Sequence, residues 1–72
     1  MAKSKITNQI RTLRFLKNEM TQQDLAEAVG VSRQTIVAIE KGNYSPSLEL
    51  AFKLAQTFDK SLEEVFSYDD KK

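Results

Sequence analysis

The sequence predicts an all-α fold, a compact five-helix bundle, and three observations carry that expectation. Apolar residues recur three and four apart in successive stretches, the rhythm of amphipathic helices, with no strand-like alternation. Serine and threonine stand where those stretches begin, as helix N-caps do. Two glycines and one proline are the only such breakers in 72 residues, and they fall between the periodic stretches. A chain of this length reads as one domain, burying roughly 60% of the surface its unfolded state exposes, so its core is small.

The first helix is expected from about Thr7 to Asn18, with Ile6, Ile10, Leu13, Leu16 and Met20 on its apolar side. Thr21 caps the second, and Asp24 three residues on forms an imperfect capping box. Leu25, Ala26 and Val29 face inward, and Gly30 ends the helix with the left-handed backbone that glycine adopts at little cost. Ser32 caps a third helix from Arg33 to Lys41, with Ile36 and Ile39 inward, closed by Gly42-Asn43. Pro46 suits the first turn of a fourth helix, capped by Ser45 or Ser47 and lined by Leu48, Ala51, Leu54, Ala55 and Phe58. Ser61 and Glu64 form a proper capping box for a short fifth helix whose Leu62, Val65 and Phe66 point inward. Residues 1–5 and 67–72 are expected to be tails flanking a domain over 6–66, with Asp69-Asp70 solvated rather than metal-binding.

Composition excludes several functions. Cysteine and histidine are absent, which removes thiolate nucleophiles, imidazole bases and the usual zinc sites. No cofactor or metal site is expected, and an enzyme is not. No run approaches the roughly 18 apolar residues of a membrane span, and no apolar stretch follows the charged N-terminus as in a signal peptide. A soluble cytoplasmic protein with no membrane partner is expected. The net charge of +1 hides an asymmetry. Residues 1–41 carry seven basic against four acidic residues, a balance of +3, and residues 42–72 four lysines against six acids, a balance of −2. The N-terminal half suits an anionic partner, although charge alone equally allows an accidental imbalance on a solvated surface.

The informative stretch is Gln22 to Lys41. Counting Gln22 as the first place, a small residue (Ala26) falls fifth and glycine (Gly30) ninth; apolar residues fill the fourth, eighth, tenth, fifteenth and eighteenth (Leu25, Val29, Val31, Ile36, Ile39). Two helices crossing at roughly 90–120° over a short turn need a small side chain where their backbones approach. They need a residue tolerant of positive φ in the turn. They also need apolar anchors on one face of the second helix, which leaves its other face projecting. All three demands are met, which makes a helix-turn-helix.

The run from Thr21-Gln22 through Leu25-Ala26, Gly30-Val31-Ser32-Arg33-Gln34-Thr35-Ile36, Ile39-Glu40 and Gly42 to Pro46-Ser47-Leu48 resembles the phage-repressor and Cro type of helix-turn-helix regulators, in particular their small stand-alone members. The resemblance covers about residues 6–66 and implies a lambda-repressor-like DNA-binding domain. One departure stands out: six residues separate Arg14 from Thr21 where the family has five, so a longer turn is expected there. The resemblance implies that the third helix enters the major groove and meets base edges through Arg33, Gln34 and Val37, with Ala38 at the margin. Their chemistry agrees: Arg pairs with guanine, Gln with adenine, and Val packs on a thymine methyl. Arg33 opposes the helix dipole by about 0.3–1 kcal/mol, so local stability does not explain its place. It could still be a solvated side chain whose stem covers Val31.

Thr21 and Gln22 stand at a helix N-terminus, a natural phosphate site. The resemblance adds Ser32, Thr35, Asn43, Tyr44 and Ser45 as backbone contacts, with Arg11 or Lys17 as electrostatic help. Thr21 and Ser32 serve equally as caps, Thr35 could simply fill the helix crossing, and Tyr44 could pack over its loop. The resemblance also implies a structural ion pair between Arg14 and Glu40. A helix reading about 4–6 base pairs is too unspecific alone, so a homodimer on an inverted-repeat operator in double-stranded DNA is expected, acting as a repressor. Phe52, Leu62, Phe66 and Tyr68 offer a patch for that self-association, unless they complete the monomer's own core. The rival reading is a protein-interaction module, an antitoxin or adaptor on the same scaffold. No residue pattern identifies a small-molecule effector.

Overall fold

Most helices of this chain begin where a side-chain oxygen meets their first free amides. Thr21, Ser32, Ser47 and Ser61 accept from the amides of Asp24, Thr35, Leu50 and Glu64, each cap contributing about 1 kcal/mol. Asp24 completes its capping box despite standing where glutamate is usual, accepting from the Thr21 amide at 3.2 Å. Glu64 does the same for Ser61 at 2.8 Å. The hydrogen bonds with the Ser61 backbone, then with its side chain, and the nearby Lys60 charge together hold the Glu64 carboxyl below its usual range.

Residues 6–68 are described in the computed structural model, and the expectations for residues 1–5 and 69–72 lie outside them. The order is β1 (Ile6–Asn8), α1 (Ile10–Leu16), α2 (Gln22–Val29), α3 (Arg33–Glu40), α4 (Leu48–Thr57), α5 (Leu62–Val65) and β2 (Phe66–Tyr68). The five expected helices are present. The fold is nonetheless not all-α, because β1 and β2 form a two-stranded antiparallel sheet pairing Ile6 with Tyr68, Thr7 with Ser67 and Asn8 with Phe66. The Gln9 amide extends the pairing to the Val65 carbonyl at 2.9 Å. Three-residue strands are too short for a period-two pattern, which needs four to eight residues to register. The sheet exists because the bundle brings two distant segments side by side, where their backbone groups satisfy one another.

Ile10, Leu25, Ile36, Ile39, Leu54 and Val65 are the large side chains fully enclosed in the core, one or two from each helix. Burying each such side chain is worth about 1.5–3 kcal/mol, so α3 is held chiefly by Ile36 and Ile39. Ala26 is also fully buried. Gly30 follows α2 at φ +79°, and the Val31 amide closes a 6→1 bond to the Ala26 carbonyl at 3.0 Å.

Several expected details are corrected. Thr7 and Asn8 belong to β1, so the first helix starts at Ile10 and ends at Leu16. Leu16 is 71% exposed; the chain reverses over residues 17–20, and Met20 packs on the core instead. Leu48 is 67% exposed and Leu50 is buried in its stead. Helix side chains lean toward the N-terminus, so Leu48, first in α4, projects past the edge of the core. Ser47 is the cap and Pro46 lies before it, outside the helix. Ser67 and Tyr68, expected in a tail, lie in β2. Phe66 is in β2 rather than α5 and only partly buried.

Candidate nucleic-acid interface

With Ile36 and Ile39 turned inward, the rest of α3 is presented outward. Arg33 and Gln34 are exposed, and neither side chain has a hydrogen-bond or ion-pair partner among the described residues. Val37 and Ala38 are half-buried on the same helix. At about 100° per residue, Thr35 and Val37 lie on opposite flanks of the outward face, and an open groove runs along each flank. On the Val37 side the groove is bounded by Arg11, Phe15, Thr21, Gln22 and Lys41. On the Thr35 side it is bounded by Val31, Tyr44, Ser47 and Lys53. The expected phosphate contacts are thereby sorted onto the two flanks, Thr21 and Gln22 on one, Thr35 and Tyr44 on the other. Asn43 and Ser45 are exposed in the loop after α3.

Polar partners temper some of these assignments. The Thr21 hydroxyl accepts from the Asp24 amide at 2.9 Å, and the Ser32 and Thr35 hydroxyls lie 3.0 Å apart in a mutual hydrogen bond. The Gln22 amide group donates to Glu40 Oε1 at 3.2 Å. Glu40 is the acceptor of a fork: Arg14 Nε donates to Oε2 at 2.6 Å and Nη2 to Oε1 at 3.1 Å. A third donor of Arg14, Nη1, reaches the Met20 carbonyl at 2.9 Å. The side chains are 14% and 9% exposed, so this pair is sheltered from water. It joins α1, the turn after it and the last turn of α3 through one guanidinium.

The six residues between Arg14 and Thr21 are accommodated by two consecutive left-handed residues, Asn18 (φ +58°) and Glu19 (φ +54°). They let the Met20 amide return to the Arg14 carbonyl at 2.9 Å. Phe15 and Lys41, on the groove beside Val37, were not singled out by sequence reasoning. Phe15 could have been: it lies off the apolar stripe of its helix and had to be exposed. Lys17 is exposed but lies outside both grooves. Leu62, Phe66 and Tyr68 line a shallow apolar groove together with Ile6. Phe52, exposed on α4, lies outside it. Among the described residues no group of carboxylates is placed to hold a metal, and no helix is long and apolar enough to cross a membrane.

The fold and the projecting α3 define a helix-turn-helix domain, and comparisons place it in a family. The helix-turn-helix family model matches residues 10–65, and the chain belongs to the Cro/repressor-type helix-turn-helix family of transcriptional regulators. An uncharacterised HTH-type transcriptional regulator of Methanocaldococcus jannaschii, MJ0272, is 56% identical over 63 residues, covering 88% of this chain and 94% of its own. The cryptic phage CTXphi transcriptional repressor RstR of Vibrio cholerae is 36% identical over 61 residues, 85% of this chain and 54% of its own. Among solved structures, the restriction-modification controller protein C.AhdI from Aeromonas hydrophila superposes with a TM-score of 0.70 at 33% identity, covering 76% of this chain and 82% of that one. The family is one of DNA-binding regulators, not enzymes.

Proposed function

We propose that this protein is a sequence-specific repressor that binds an inverted-repeat operator in double-stranded DNA as a homodimer, acting in the cytoplasm. The observation that carries the reading is the outward face of α3: Arg33 and Gln34 are exposed with no partner among the described residues, beside two grooves that hold Thr21, Gln22, Thr35 and Tyr44. With α3 in the major groove, Arg33 and Gln34 pair with base edges, Val37 packs on a thymine methyl, and Ala38 sets the closest approach. Thr21, Gln22, Ser32, Thr35, Asn43, Tyr44 and Ser45 contact the flanking phosphates, and Arg11 and Lys41 add positive charge beside Val37. Repression follows from occupying the operator, and the relative RstR is named a transcriptional repressor. The groove of Ile6, Leu62, Phe66 and Tyr68 supplies an apolar surface for the second copy.

Selection from a random duplex library, run with the native protein and with Arg33→Ala at two salt concentrations, tests this reading. The native protein should recover an inverted repeat with half-site centres about 34–36 Å apart. Arg33→Ala should lose about 1–3 kcal/mol of discrimination at one base pair of each half-site. Sequence-blind, salt-sensitive binding would overturn the specific reading, and absence of binding would point to a protein partner instead.

A further inference from the structure

Asn8 ends β1 opposite Phe66 of β2, and its half-buried side chain works in two directions. Oδ1 accepts from the Ile10 amide at 3.1 Å, at the start of α1, where Gln9 provides no side-chain cap. Nδ2 donates to the Ile39 carbonyl in the last turn of α3 at 2.9 Å. That carbonyl also accepts from the Gly42 amide at 3.0 Å, so both of its lone pairs are engaged. The next residue, Glu40, is the one gripped by Arg14. Two attachments therefore fall on consecutive residues of α3, one on backbone from before α1 and one on a side chain from within it. Ile36 and Ile39 seat α3 on the core; two polar attachments of different direction at its end then narrow its axis and rotation further than apolar packing does.

The consequence lies at the other end of α3. Arg33 is six residues from Ile39, roughly 9 Å along the axis, so a tilt of about 10° at the anchored end moves Arg33 by roughly 1.5 Å. A bidentate contact to a base edge does not survive such a displacement. Asn8 lines neither groove beside α3, so the side chain itself does not face a base.

We propose that Asn8 is a positioning residue for DNA reading: it locks the angle of α3 to the β1–β2 sheet, and operator discrimination depends on it without contact to DNA. The proposal rests on α3 being the reading helix. It also gives the sheet a role, since β2 carries Phe66 and Tyr68 of the proposed self-association surface. The same two strands become the common frame for the second copy and for α3.

Asn8→Ser and Asn8→Asp each keep an oxygen for the Ile10 amide and lose the amide donor to Ile39. Native protein and both variants would be titrated with the selected operator and with an unrelated duplex at equal salt, and amide exchange followed at Lys41, Gly42 and Asn43. The ratio of the two affinities is insensitive to the folded fraction, because partial unfolding lowers both alike. The neutral Asn8→Ser carries the comparison, since the charge of Asn8→Asp weakens binding to any DNA. Asn8→Ser should lower operator affinity by about 3-fold to 10-fold, leave the unrelated duplex unchanged, and speed exchange at the end of α3. An unchanged affinity ratio would overturn the proposal, whether both affinities hold or both fall together. A native protein with no operator preference would instead bring down the reading of α3, and this proposal with it, before any variant is compared.

Discussion

Arg14 spends its planar fork on three acceptors at once, both oxygens of Glu40 and the Met20 carbonyl. Lysine at the same place would keep the charge and lose the geometry, because an ammonium on a flexible stem cannot serve two carboxylate oxygens and a carbonyl from one position. Arg14→Lys should therefore lower stability by about 1–3 kcal/mol, read as a fall in the urea midpoint at unchanged slope; a midpoint within error of the native value would show the fork to be incidental. The charges of this pair and their spacing were visible in the chain, and family resemblance implied the partnership. The Met20 carbonyl and Gln22 were not visible as partners. Their place depends on the path of the turn between α1 and α2, which no spacing rule describes. Asn8 was hidden for a related reason: its oxygen serves an amide only 2 residues on, but its nitrogen donates to a carbonyl 31 residues along the chain.

Among the elements, α2, α3 and α4 leave in the same way. Gly30, Gly42 and Asp59 adopt left-handed backbone, and Val31, Asn43 and Lys60 close 6→1 bonds to Ala26, Ala38 and Ala55. The glycines announced the first two exits; the aspartate announced nothing, since it is common in many turn types. The exit of α1 is the costly one, with Glu19 at φ +54° next to Asn18 at φ +58°. Asparagine tolerates that region, whereas a residue such as glutamate loses roughly 1–2 kcal/mol there. Glycine relieves that strain and gives back about 0.5–1 kcal/mol in unfolded-state entropy. Glu19→Gly should thus stabilise the domain by up to about 1 kcal/mol in thermal or urea unfolding. A loss of stability would mean that the Glu19 side chain contributes an interaction that outweighs its backbone strain.

At the scale of the whole molecule, the basic N-terminal half carries α3 and the groove on its Val37 side, while the apolar groove of Leu62, Phe66 and Tyr68 is closed by Ile6 from the opposite end of the described chain. Tyr68 is 65% exposed, so altering it costs the monomer little, and a charge placed there opposes burial against a second copy. Under the proposed dimeric reading, Tyr68→Asp should leave the helical content unchanged, sediment as a monomer, and weaken operator binding by at least about tenfold, since one half-site is then read alone. A variant that still sediments as a dimer would move the self-association surface elsewhere, with Phe52 on α4 the next candidate.

The chain by itself determined the five helices, three of their caps with the fourth narrowed to two serines, the buried face of α3 and the residues that project from it. Those features are local: periodicity, an oxygen before an amide, a glycine where φ turns positive. Tertiary structure decided the rest. It paired Ile6–Asn8 with Phe66–Tyr68, turned Leu16 and Leu48 outward in favour of Met20 and Leu50, and set Asn8 and Arg14 on the last turn of α3. Each of these depends on which distant segments meet once the core closes. Such contacts arise from the packing of the helices as a set, and no window of sequence contains both partners.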